Sequence, residues 1–79
     1  MRYIELVTEE DIPSAIDEIR DTSKKISQIV LGSEYETTMG GKKILTIFLR
    51  FEPILKIEAE EDILDLFSSQ LKTAIEGSH

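Results

Sequence analysis

The sequence predicts an α+β two-layer sandwich: a three- or four-stranded, mostly antiparallel sheet with two helices on one face. Three observations lead there. Apolar residues recur at helical spacing in two segments, they alternate with period two in the segments between, and Gly40-Gly41 breaks the alternating region as a hairpin tip would. A chain of 79 residues sustains one small core, since domains of this length bury only roughly 60% of their unfolded surface. The domain is expected over residues 1–76, with Gly77-Ser78-His79 as a disordered tail or tag remnant outside the amphipathic pattern.

Tyr3 to Val7 reads as the first strand, with Ile4 and Leu6 on one face. Thr8 to Asp11 supplies capping residues, and Ile12, Ala15, Ile16, Ile19 and Ile26 recur at helical spacing, so a first helix is expected from Asp11 to about Lys25. Pro13 fits only in its opening turn, where a missing amide donor costs nothing. From Ser27 the period becomes two: Ile29, Leu31, Ser33, Tyr35, Thr37 and Met39 share one face of a second strand. Leu45, Ile47, Leu49, Phe51, Leu55 and Ile57 continue the odd apolar parity beyond the glycines.

Parity also selects the turn. A two-residue loop at Gly40-Gly41 would set the odd face of one strand beside the even face of the next and split the core. A three-residue loop of Met39, Gly40 and Gly41 repairs this, pairing Tyr35 with Leu45, Ser33 with Ile47, Leu31 with Leu49 and Ile29 with Phe51. Gly41 then takes the left-handed position of a bulged hairpin. At Glu52-Pro53-Ile54 both a kinked strand and a hairpin preserve the parity. No glycine stands there to take a left-handed slot, which favours a bent strand with Pro53 on an edge. After Ala59, Glu60-Glu61-Asp62 opens a second helix whose stripe is Ile63, Leu66, Phe67, Leu71, Ala74 and Ile75. The order is β-α-β-β-α, or β-α-β-β-β-α if the proline makes a turn.

Composition narrows the chemistry. A net charge of -7 is the wrong field for a protein that neutralises phosphates, so nucleic acid is disfavoured. With zero cysteines there are no disulfides, zinc ribbons or thiol catalysis. The single histidine is His79, and no hydroxyl has a base to activate it, so an enzyme is not expected. No run of about 18 apolar residues and no basic-then-apolar leader is present, which makes the cytoplasm the expected location. Gly40-Gly41-Lys42-Lys43 lacks the following helix that a phosphate loop requires.

Two constellations remain. Glu9-Glu10-Asp11-Ile12 and Glu60-Glu61-Asp62-Ile63 are the same four letters, each following a strand-like run and opening a helix. Carboxylates in a first helical turn complement its free amides and dipole, which accounts for the repeat. If the two preceding strands are neighbours running the same way, Glu9, Glu10, Asp11, Glu60, Glu61 and Asp62 would instead converge as a site for Ca²⁺ or Mg²⁺. The stretch Ile4 to Ile16, with its Thr8-Glu9-Glu10-Asp11-Ile12-Pro13 turn, resembles the opening strand and helix of GNAT-superfamily acetyltransferases. Those enzymes need a longer chain and a later glycine-rich pyrophosphate loop, so no fold, cofactor or residue role is transferred.

The second constellation is the face the helices leave uncovered. Val30, Ile44, Thr46, Phe48 and Ile54 fall there beside Glu34, Glu36, Arg50, Lys56 and Glu58, and apolar patches on open faces mark interaction surfaces. The expected function is a non-enzymatic protein-interaction module, self-associating as a homodimer through that face or through the edge near Pro53, with another protein as the alternative partner. The alternative is a divalent-cation domain using the acidic turns.

Overall fold

A computed structural model describes residues 1–77. Its elements are β1 (Arg2–Glu5), α1 (Ile12–Ser23), β2 (Ile29–Thr37), β3 (Lys43–Leu49), β4 (Glu52–Ala59) and α2 (Glu61–Glu76), with 3-10 turns at Glu9–Asp11 and Ile26–Gln28. The strands form one sheet in the order β1-β4-β3-β2. β1 runs parallel to β4, while β4-β3 and β3-β2 are antiparallel. The expected two-layer α+β architecture is therefore present, with four strands. Ser78 and His79 of the expected tail lie outside the described residues, and Gly77 caps α2 by donating its amide to Thr73 at 3.0 Å.

The core lies on one side of the sheet. Leu45, Ile47, Leu55, Ile57 and Ala59 present their side chains to Ile12, Ala15, Ile16 and Ile19 of α1 and to Leu64, Phe67 and Leu71 of α2, with Leu6, Ile26 and Ile29 completing the buried set. Spacing of three and four residues along each helix places these groups on one stripe. Leu64, missing from the expected stripe of α2, is fully buried, whereas Ile63 and Leu66 beside it are half-buried. Four apolar residues in Ile63-Leu64-Asp65-Leu66-Phe67 let the stripe be drawn on either side, and only the packing decides.

α1 ends two residues before the expected Lys25. Lys24 adopts a left-handed φ of 57° and donates its amide to Arg20 at 3.0 Å, closing the helix. Ile26 still reaches the core, through the 3-10 turn that follows.

The β2-β3 hairpin has the expected tip. Gly41 has φ +82° and its amide donates to Thr38 at 3.1 Å; Tyr35 pairs with Leu45 as parity required. Farther from the tip the register changes. Leu31 pairs with Ile47 and Ile29 with Leu49, so the three residues Gly32 to Glu34 oppose Thr46 alone. The expected pairs Ser33–Ile47, Leu31–Leu49 and Ile29–Phe51 do not form. The bulge is permitted by Gly32, where an added Cβ would stand 3.1 Å from the Thr46 carbonyl oxygen and 3.6 Å from Cε2 of Phe48.

The bent-strand reading of Pro53 is corrected by a tight hairpin. β3 stops at Leu49, Arg50-Phe51 forms the tip, and Leu49 pairs with Glu52 and Phe48 with Pro53. Arg50 itself supplies the left-handed backbone, with φ 58°, and its amide donates to the Gln28 carbonyl at 3.1 Å. Ile47 then pairs with Leu55, leaving Ile54 as an extra residue in β4. A proline is tolerated in this inner strand because β1 begins only opposite Leu55, so Pro53 has no neighbour on its outward side. The same turn moves Phe51 off the apolar face, and it is 94% exposed.

Candidate functional site

The face away from the helices is built of three rows of cross-strand neighbours. At the end where β1 and β4 finish, Glu5, Glu58, Ile44 and Glu36 lie side by side. Tyr3, Lys56 and Thr46 follow, against the β2 bulge. At the opposite end Pro53, Phe48 and Val30 form the last row. Side chains alternate across a pleated sheet, so each row is the outward counterpart of a buried one.

The first two rows are occupied by charge. Lys56 reaches over Thr46 to Glu36, with Nζ 3.0 Å from Oε2, and Lys42 holds Glu5 from the hairpin loop. The hydrogen bond from each ammonium to its carboxylate partner raises the pKa of Lys42 and of Lys56. Both pairs are accessible to water and modest in strength. Ile44 and Thr46, in the same rows, are half-buried.

The third row carries no charge. Val30 is 50% exposed, Phe48 lies half-buried over Gly32, and Ile54 at the β4 bulge is half-buried against the edge of the core. Of the five residues expected on the open face, Val30 and Phe48 therefore form an accessible apolar row with Pro53. Ile44 and Thr46 sit among charges, and Ile54 is shared with the core. Arg50, expected beside them, is at the hairpin tip.

The same end of the sheet holds a recess of about 380 Å³ lined by Gln28, Leu49, Arg50, Phe51 and Glu52. Sequence reasoning missed it. The signal was Arg50-Phe51-Glu52-Pro53, a polar-flanked aromatic before a proline between two alternating runs, which reads equally well as a tight turn.

The acidic turns occupy the other end. β1 and β4 are parallel neighbours, as the cation reading required, yet among the described residues no group of three or more acidic side chains is placed to hold a metal ion. Asp11 shows the reason. One carboxylate oxygen accepts the amides of Val7 at 2.8 Å and Thr8 at 3.1 Å. These backbone bonds, that of Thr8 first, hold its carboxyl below the usual range. Asp62 accepts the amide of Ile63 at 3.0 Å. Both carboxylates are engaged by amides of their own chain.

A smaller recess of about 200 Å³ opens between β2 and α2, lined by Leu31, Gly32, Ser33, Tyr35, Leu45, Ser68 and Lys72. The Tyr35 hydroxyl donates to Asp65 Oδ1 at 2.7 Å. Burial is the main cause that raises its pKa, and the Asp65 charge adds to it. Tyr35 is thus a neutral donor tying the edge strand to the helix through the Asp65 carboxylate.

The chain matches no family model, no curated protein and no solved structure. Among the described residues no helix is long and apolar enough to cross a membrane.

Proposed function

We propose that this protein is a non-enzymatic interaction module that self-associates as a homodimer through its open sheet face. The observation that carries the reading is the uncharged row Val30, Phe48 and Pro53 on the side of the sheet that no helix covers. A core of this size is marginal alone, and each Å² of apolar surface removed from water contributes about 25 cal/mol before the cost of association.

Sedimentation of the full chain over a wide concentration range tests the proposal. The wild type is expected to shift from monomer to dimer, and Val30→Glu to remain monomeric with an unchanged circular dichroism spectrum. Val30 is the chosen position because half of it is already in water; Phe48→Glu should abolish the dimer too, but it also uncovers Gly32. A wild type that stays monomeric, or a Val30→Glu chain that dimerises normally, overturns the reading.

A further inference from the structure

Phe51 stands 94% exposed at the tip of the β3-β4 hairpin, between Arg50 and Glu52, both of which are exposed. Among the described residues neither Arg50 nor Glu52 makes an ion pair; every pair formed involves Arg2, Arg20, Lys42 or Lys56. The ring itself lines the recess, together with Gln28, the half-buried Leu49, Arg50 and Glu52. An aromatic knob next to a recess, flanked by one cation and one anion, is a self-complementary surface. A two-fold axis beside the ring would set the knob of one copy at the recess of the other and bring Arg50 of each towards Glu52 of the other.

We propose that this hairpin tip is the centre of the contact between two copies of the chain, with Phe51 of each packing into the other's recess and Arg50 of each facing Glu52 of the other. The inference rests on the self-association proposed above and names its contact. The charge distribution selects a second copy as occupant. The chain carries a net charge of -7, and its acidic turns would repel an identical molecule. The segments 28–30 and 48–54 hold one cation and one anion, so two such ends meet without net repulsion. They also continue into the uncharged Val30, Phe48 and Pro53 row, which widens the apolar contact around the tip. Because Phe51 lines the recess, each ring entering the other copy's recess would lie beside that copy's own Phe51, in the offset or edge-to-face geometry that aromatic pairs prefer.

A charge-reversal exchange tests this arrangement. Arg50→Glu and Glu52→Arg are made separately, and each chain is sedimented alone and in an equimolar mixture. Each reversal sets two like-charged pairs across the axis, so each chain alone is expected to dimerise about tenfold to a hundredfold more weakly than the wild type. The mixture restores opposite charges at both positions and is expected to recover wild-type affinity as a heterodimer. Phe51→Ala should weaken the dimer whatever the charges. If the wild type dimerises but neither reversal alters it, or if the mixture fails to recover, the tip is not the contact. The open-face reading then stands or falls on Val30→Glu alone. A wild type that never dimerises removes both.

Discussion

The hydrogen bond from Tyr35 to Asp65 is a side-chain tie between the outer strand and α2, and removing only the Tyr35 hydroxyl is expected to give a measurable stability change. Tyr35→Phe keeps the ring, which packs against the core, and deletes a 2.7 Å bond to a carboxylate. A bond to a charged acceptor contributes more than a neutral one, but Tyr35 is only half-buried and water competes for both partners, which brings the loss to about 1 kcal/mol. For a domain of this length that corresponds to a fall in Tm of about 4–8 °C. The pH dependence supplies a second reading. Burial, opposed in part by a hydrogen bond with Ser68 and reinforced by Asp65, raises the Tyr35 pKa in the folded chain. The unfolded chain then ionises this phenol first. Its contribution is complete below about pH 10 and is lost as pH rises through the raised folded value. Thermal melts of wild type and Tyr35→Phe from pH 7 to 11 should show a gap that narrows above pH 10. No gap at neutral pH, or a gap of constant width throughout, would refute the assignment of this tie.

Two further outcomes follow from the turns. Asp11→Ala should lower stability at neutral pH and flatten its acid dependence: the wild-type carboxyl has a depressed folded pKa, so its contribution is present above the ordinary value of 3.8 and is lost as pH falls through the depressed one, as urea titrations from pH 2 to 7 would show. Gly41→Ala should cost about 1 kcal/mol from backbone conformation alone, since the residue has φ +82° with nothing within 4 Å of an added Cβ, whereas Gly40→Ala should be close to neutral in the same denaturant midpoint assay.

Much of this fold was legible because each signal was local and periodic. The odd parity from Leu45 to Ile57 requires a three-residue loop at the first hairpin, and Gly41 adopts the left-handed backbone that loop demands. What escaped was set by tertiary packing. The β2 bulge has its signal in Gly32, but its need arises from the Phe48 ring and the Thr46 carbonyl, which lie in another strand. The second hairpin was obscured because an arginine, not a glycine, takes the left-handed position, at a conformational cost that the bond from its amide to Gln28 helps to offset. With the turn at Arg50-Phe51 and not at Glu52-Pro53-Ile54, Phe51 stands at the tip instead of on a buried face. Val30, Ile44, Thr46 and Phe48 lie on the face away from the helices, whose division into charged and uncharged rows depends on which long side chains reach across it. Lys56 spans a strand to meet Glu36, a pairing between residues twenty positions apart that no spacing rule brings together.

The division has a topological origin. Because β1 and β4 are parallel, their carboxyl ends lead into the two acidic turns at the same end of the sheet, where helices begin and carboxylates cap free amides. The β2-β3 hairpin closes at that end as well, and its Lys42 lies close enough to Glu5, Glu58 and Glu60 for all three to raise its pKa. Capping therefore gathers negative charge at one end, and one basic hairpin answers it in part. The other end is closed by β3-β4, where no helix starts and no cap is required. Its sequence is free to be apolar, with a single cation and a single anion at the tip. With a net charge of -7 arranged in this way, two copies associating as proposed would repel at the helix-starting end and not at the β3-β4 tip. The geometry that satisfies the helices thereby leaves the β3-β4 end as the one where the proposed contact meets least repulsion.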